Sequence, residues 1–374
     1  MKTRITELLD IQRPIVLSGM SWISMPSLVA AVSNAGGLGI LATGTFSEDE
    51  TRAAIREIRE LTDKPFGANV SLLLPGAQEN AHILVEEQVP VVNFSLGKGD
   101  WLVEAVHAYG GKVVATVTNL HHADRAQAYG TDAVIATGHE AAGHGGLATS
   151  LVLIPSLVER LDIPVIAAGG FSDGRGFAAA LSLGADGIAM GTRFMMTRES
   201  VMHADLKKQT SERSIHDTVY SPRFDGMDCR MMDNPGARRA IKRGLDLPAA
   251  FFNSREAAAQ KNTSFWKLFF NVLGSGLKNA RQMAYFANTF KLCRAAVDGD
   301  ADWGLMPLGQ VTGLIQDEPS VEELLDRIME EARTVLAEKS AMMDQDGFVA
   351  HRVGHSAPHE PGERVAVGRE AASQ

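Results

Sequence analysis

The chain has 374 residues, 45% of them hydrophobic and 22% charged, and a formal net charge of −9. These values suit one large α/β domain with an appended segment and disfavour a nucleic-acid partner. The two cysteines, Cys229 and Cys293, show no CxxC spacing, which argues against a disulfide framework or a thiolate metal cage and for a reducing, cytoplasmic setting.

The opening residues, MKTRITELLDIQRP, lack an apolar core, so no signal peptide is expected. No apolar run approaches the roughly 20 residues needed for a membrane span. Pro14–Leu17 then reads as a short buried strand ending in Ser18-Gly19-Met20, and Met25–Ala35 as a helix closed by Gly36-Gly37. Strands are predicted at Leu38–Ala42, Pro65–Val70, Val89–Phe94, Lys112–Val117, Asp132–Ala136, Ile163–Ala168 and Gly187–Met190, with helical patterns between them. Eight buried strands alternating with helices predict a (β/α)8 TIM barrel, with a doubly wound open sheet as the alternative.

After Arg193 the pattern changes. Residues from about 200 to 310 read as helical, rich in Met, Arg and Phe, with a weak point near Gly274-Ser275-Gly276. A strong final helix is predicted over Val321–Lys339, and the polar segment 341–374 reads as a disordered tail. The expected domains are therefore a barrel from residues 1–200 and about 300–340, and a helical insert or lid over about 201–300.

Chemistry in such a barrel belongs at the C-terminal ends of the strands. The last two strands finish in Gly169-Gly170 and in Gly191-Thr192-Arg193, each followed by a turn or helix start. Glycines bare the backbone N–H groups and helix N-termini favour anions, so these turns suit a phosphate; two ordinary βα turns are the plain alternative. The other strand ends, among them Gly19, Met20, Asn69 and Thr137, are small or amide-bearing and suit a flat, polar-edged heterocycle. Asn69 can exchange paired hydrogen bonds with a ring amide.

The loop after the sixth strand, Thr137–Gly146, places His144 between glycines. An imidazole there can serve as general base or as donor to developing negative charge; otherwise it is a loop histidine bonded to backbone. His139-Glu140 begins an HExxH-like pattern, but Gly143 stands where the second histidine belongs, so metal binding is not expected. Arg238, Arg239, Lys242 and Arg243 form a basic helix face, either solvated or open to a phosphorylated partner. The aromatic stretch from Phe265 to Phe290 reads as helix–barrel packing, with a substrate lid as the alternative.

The segments PIVLSGMSW (14–22), DKPFGAN (63–69), DAVIATGHEAAGHGG (132–146), PVIAAGGFSDGRG (164–176) and GADGIAMGTRF (184–194) resemble the nitronate monooxygenase, or 2-nitropropane dioxygenase-like, family, and GQVTGL (309–314) resembles its C-terminal motif. That family includes flavin-dependent enoyl-ACP reductases and NADH:quinone reductases. The resemblance implies a barrel holding FMN, with phosphate contacts at Gly169, Gly170, Gly191 and Thr192. It implies ring contacts at Gly19, Met20, Asn69 and Gln310, and an active-site histidine at His144. Thr137 is carried as a further flavin contact, where the family often has Gln or Glu; Ala142 stands where it usually has Gly.

The resemblance implies oxidation of alkyl nitronates by O2 to a carbonyl compound and nitrite. The alternative it carries is NADH- or NADPH-driven reduction of an enoyl thioester or a quinone, for which an acyl carrier protein would be a partner. An inactive flavin-binding barrel is the non-enzyme alternative. Partners are otherwise a small-molecule substrate and, as an open expectation, a second copy in a homodimer.

Overall fold

Short apolar runs flanked by glycine, each followed by an amphipathic helix, bury both faces of every strand when the strands close into a barrel sheathed by those helices. The computed structural model describes residues 1–74, 76–260, 264–274 and 276–345. It contains eight parallel strands: β1 (Ile15–Leu17), β2 (Gly39–Ala42), β3 (Phe66–Ser71), β4 (Val91–Ser95), β5 (Lys112–Val117), β6 (Ala133–Thr137), β7 (Val165–Ala168) and β8 (Gly187–Met190). Their order is β1-β8-β7-β6-β5-β4-β3-β2. The ring closes where Leu17 N–H donates to Leu38 O at 2.9 Å and Leu38 N–H to Ile15 O at 3.0 Å. This is the (β/α)8 barrel the strand pattern predicts.

The barrel interior is one cluster of buried apolar side chains, including Val16, Ile40, Val91, Val114, Ile135 and Ile166. Its floor is closed by an N-terminal helix, Arg4–Leu9, which starts at a Thr3/Thr6 capping box and sends Ile5 and Leu9 into the same cluster. Toward the opposite end the interior residues shrink to Ala168 and Ala189. The barrel is thus plugged below and hollow above. The helix Gly174–Ser182 after β7 is capped by Asp173, whose side chain accepts from Gly176 N–H at 2.9 Å.

The chain divides into two units, Met1–Val335 and Leu336–Gln374. The first holds everything discussed below; of the second, only the end of the helix Val321–Gln345 is described. That helix runs past Lys339, and residues 346–374 of the expected tail lie outside the described residues.

The segment expected to be wholly helical differs. Thr218–Ser221 (β9) and Cys229–Met232 (β10) form an antiparallel hairpin, with Val219 opposite Met231. TVYS is β-branched and aromatic, and Asp225-Gly226 supplies the turn, with Gly226 at φ +86°. The insert otherwise holds helices at Ala204–Ser211, Pro235–Arg243, Leu247–Gln260, Phe265–Gly274 and Leu277–Val297. The expected break appears between the last two, at Gly274 and Gly276; Ser275 lies outside the described residues. GQVTGL forms a 3-10 turn over Gln310–Leu314. No described helix is long and apolar enough to cross a membrane.

The β1–β8 seam depends on Gly187. A Cβ there would stand 2.6 Å from the Pro14 carbonyl oxygen, which accepts the Ile188 N–H at 3.0 Å. Gly187→Ala is expected to cost about 1–3 kcal/mol, as overpacking typically does, and to lower the calorimetric melting temperature; an unchanged midpoint would show that the seam shifts without penalty.

Candidate active site

Above the apolar plug lies a cavity of about 1180 Å³. Its walls include nine of the ten predicted site residues: Gly19, Met20, Asn69, Thr137, His144, Gly169, Gly170, Gly191 and Thr192. Gln310 is not on that wall, although Gly309 and Val311 are. Its backbone N–H donates to Glu140 O at 3.0 Å, and Gly309 N–H donates to Thr192 Oγ1 at 3.1 Å. The GQVTGL segment therefore fastens the β6 loop and the β8 turn together.

The ends of β7 and β8 form a cradle. Gly169 and Gly170 take φ +96° and +87°, left-handed values that a side chain resists. Among the described residues, none accepts a hydrogen bond from the N–H groups of Gly169, Gly170, Gly191 or Thr192. Four neighbouring backbone donors without an acceptor, at a cavity wall, are what an anion needs.

Across the cavity, amides chain along three strands. Asn69 Nδ2 donates to Asn93 Oδ1 at 2.6 Å, and Asn93 Nδ2 donates to Val114 O at 2.8 Å and Thr116 Oγ1 at 3.1 Å. This spends the Asn69 nitrogen and leaves its Oδ1 without a donor among the described residues. Gly19 passes so close that a Cβ would lie 2.7 Å from Asn69 Cβ. The segment after β1 is thereby laid against Asn69, and Met20 N–H is held by Ser24 Oγ at 3.0 Å.

The β6 loop is held from outside the barrel. Gly143 and Arg230 exchange backbone bonds, N–H to O, at 3.0 and 2.8 Å. The buried Arg230 guanidinium donates to His139 O at 3.0 and 3.2 Å and to Thr218 Oγ1 at 3.0 Å. Tyr220 O–H donates to Gly145 O at 2.7 Å, and its ring meets the His139 ring edge-on. Burial pulls the Arg230 guanidinium below its ordinary range, and the nearby Tyr220 and Glu140 partly offset that. On the inner side, Glu140 accepts Ser150 N–H at 2.9 Å and Ser150 O–H at 3.1 Å, and Ser150 O–H also reaches Gly169 O at 2.7 Å.

His144 Nε2 lies 2.6 Å from Asp225 Oδ2. The Asp225 side chain is 4% exposed and that of His144 32%. Asp225 sits in the β9–β10 turn, where its other oxygen accepts Met227 N–H at 3.1 Å. The Cys229 thiol lies beside this pair; burial pushes it well above its usual range, and Asp225 adds to the shift. Cys293 is likewise pushed up to about 12 by burial.

Sequence reasoning missed Asp225, Tyr220 and Arg230, because they sit in a hairpin that was read as helix. The available signal was the Asp225-Gly226 turn between two short alternating runs. Trp22, at φ +61°, lines the cavity and meets Phe290 edge-on at 4.8 Å between centroids. Phe286, Thr289, Phe290 and Cys293 on the helix Leu277–Val297 line it too. That part of the aromatic stretch is cavity wall, whereas Trp266 and Phe270 are exposed. The basic helix face is largely engaged on the surface: Arg238 pairs with Asp233, Arg243 with Asp246, and Arg239 lies over Trp303.

Residues 2–331 match the family model described as nitronate monooxygenase. The chain is 38% identical over 338 residues to the (3aS,4S,5R,7aS)-5-hydroxy-7a-methyl-1-oxo-octahydro-1H-indene-4-carboxyl-CoA dehydrogenase of Rhodococcus jostii, covering 89% of this chain and 96% of that one. It is 30% identical to a probable nitronate monooxygenase of Staphylococcus saprophyticus, over 71% of this chain and 90% of that one. The solved structure of FabK from Thermotoga maritima superposes with a TM-score of 0.76 at 35% identity, covering 91% of this chain and 99% of that chain. The chain is an oxidoreductase of the nitronate monooxygenase family.

Proposed function

We propose that the protein is an FMN-dependent oxidoreductase that moves a hydride to or from the acyl portion of a CoA thioester. The observation that carries this reading is the cavity: at about 1180 Å³ it exceeds the roughly 300–1,000 Å³ usual for one ligand. A flavin and a small alkyl nitronate would leave much of it empty, whereas a flavin and a bulky acyl group would fill it. The carboxyl-CoA dehydrogenase, matched over nearly its whole length, supports the same substrate class.

The residues fit FMN. The four unpartnered N–H groups of Gly169, Gly170, Gly191 and Thr192 would take its phosphate, and the Asn69 oxygen, beside Gly19 and Met20, would accept from the ring edge. Thr137 lines the same wall. FMN would supply the two-electron chemistry that no side chain offers.

The protein's own part is proton handling and alignment. With Nε2–H given to Asp225, the His144 lone pair resides on Nδ1, which has no partner among the described residues. It can take a proton from the carbon or hydroxyl that changes oxidation state. Asp225 acts as a positioning residue, fixing ring and tautomer. Trp22, Phe286 and Phe290 give the same cavity an apolar wall, which disfavours water beside a bound acyl group. The electron partner is NADH or NADPH when the thioester is reduced, and an acyl carrier protein would present the same thioester.

Nitronate oxidation is the second reading, favoured by the family and the staphylococcal relative; there His144 Nδ1 would meet the nitro group or the Cα proton.

Mixing the yellow protein anaerobically with NADH, NADPH, an acyl-CoA or an alkyl nitronate separates the two. Loss of flavin absorbance with a nicotinamide nucleotide or the acyl-CoA is expected; loss with nitronate alone would replace the first reading by the second. Gly170→Asp, which sets a carboxylate at the cradle and strains a backbone held at φ +87°, is expected to release FMN from a protein whose circular dichroism still shows the fold; unchanged affinity by fluorescence titration would refute the cradle. His144→Ala should keep FMN yet lose turnover by about 10²-fold or more, and normal turnover would remove the histidine from the mechanism. Arg230→Lys cannot reproduce the two-nitrogen grip on His139 O and should lower kcat at constant FMN content, with about 1–3 kcal/mol lost in denaturant unfolding; wild-type values for both would show that the loop holds itself.

A further inference from the structure

A ring nitrogen of His144, a carboxylate oxygen of Asp225 and Cys229 Sγ all lie within 4.8 Å of one another. The hairpin supplies Asp225 and Cys229 and the distant β6 loop supplies His144, so the sequence alone does not bring the three together. Imidazole, carboxylate and thiolate are three of the ligand types that zinc accepts, at roughly 2.0–2.3 Å each. Tetrahedral binding at those lengths places ligand atoms about 3.2–3.8 Å apart. The present His144–Asp225 separation of 2.6 Å would widen by under an ångström or so, and the thiol would close in. Asp225 and Cys229 are buried, while His144 is partly open to the cavity, so a fourth position would face the substrate space.

We propose that His144, Asp225 and Cys229 form a reversible binding site for a thiophilic divalent cation, with zinc as its natural type, and that occupancy switches the oxidoreductase off. The proposal is independent of the substrate assigned above. Two anionic ligands, the Asp225 carboxylate and the Cys229 thiolate, would neutralise a divalent charge. The thiol proton and the proton shared by His144 and Asp225 leave to solvent on binding. No redox step is involved. Hard cations such as magnesium, which prefer oxygen ligands and keep their waters, do not suit the set. The metal takes Nε2 of His144 away from Asp225, so the imidazole loses the partner that orients it while a cation occupies the substrate side.

The test uses the full-length flavin-loaded protein after chelator treatment, titrated with zinc chloride by calorimetry and assayed for metal after desalting. One zinc per chain is expected, with magnesium unable to displace it, and turnover should fall with occupancy and return on adding chelator. Cadmium should produce a thiolate-to-metal absorption band in the near ultraviolet. Cys229→Ser is expected to abolish that band and weaken zinc by about tenfold or more; Cys293→Ser should retain both. His144→Asn, at the more exposed corner of the set, provides a second loss-of-ligand variant should Cys229→Ser fold poorly. Absence of zinc binding, a cadmium band that survives in Cys229→Ser or moves with Cys293, or zinc affinity unchanged in His144→Asn would each overturn the proposal.

Discussion

The backbone exchange between Gly143 and Arg230 is the contact on which the site depends. The β6 loop carries Gly138, Gly143, Gly145 and Gly146, and a segment so rich in glycine has little preference of its own for one path. Pairing Gly143 with a strand residue turns part of it into the edge of a sheet. The same arginine then reaches His139 with its guanidinium, and Tyr220 from the opposite strand secures Gly145. Each bond contributes about 1 kcal/mol net. Their larger effect is to choose one conformation out of many. His144 lies between the secured residues and opposite Asp225 because the hairpin that clamps the loop also carries the carboxylate.

The cradle has a different logic. Its N–H groups need no outside clamp, because β7 and β8 are central strands of a closed barrel and their ends are fixed by their neighbours. The sequence spends small residues there: Ala168 and Ala189 on the interior, glycines at the exits. Below them larger aliphatic side chains, with Ile5 and Leu9 from the first helix, fill the barrel. The hollow is thus the consequence of a gradient in side-chain volume along the strands, with a rigid floor beneath it.

This difference explains what could be read from the residues alone. All eight strands were legible, because burial on both faces leaves an apolar run bounded by glycine, and strand ends locate the loops that matter. Gly169, Gly170, Gly191 and Thr192 could be picked out because a backbone site writes itself into local sequence. His144 was legible by its place in an unusual loop. Asp225 was not, since a partner 81 residues away leaves no spacing to read, and TVYS and CRMM are too short for period to separate strand from helix. Gln310 was legible as part of a motif, but its visible contribution is the backbone bond to Glu140, which a motif cannot distinguish from a side-chain contact.

One loop therefore joins two kinds of order. At its inner end Glu140 binds Ser150, which reaches the Gly169 carbonyl of the cradle, and the Glu140 carbonyl takes the Gln310 N–H. At its outer end His144 and Gly143 belong to the hairpin. Only three residues, Ala141 to Gly143, separate Glu140 from His144, so the histidine cannot move far from the cradle without breaking bonds on one side or the other. A shift of the hairpin must carry the imidazole with it, because Asp225 and Arg230 both lie in that hairpin, and Thr289 of the helix Leu277–Val297 bonds the Phe224 carbonyl at its turn. The cavity wall supplied by that helix and the position of the His144 imidazole are consequently one mechanical variable. Sequence changes in the insert should therefore move the imidazole as well as the cavity wall, even where they touch neither.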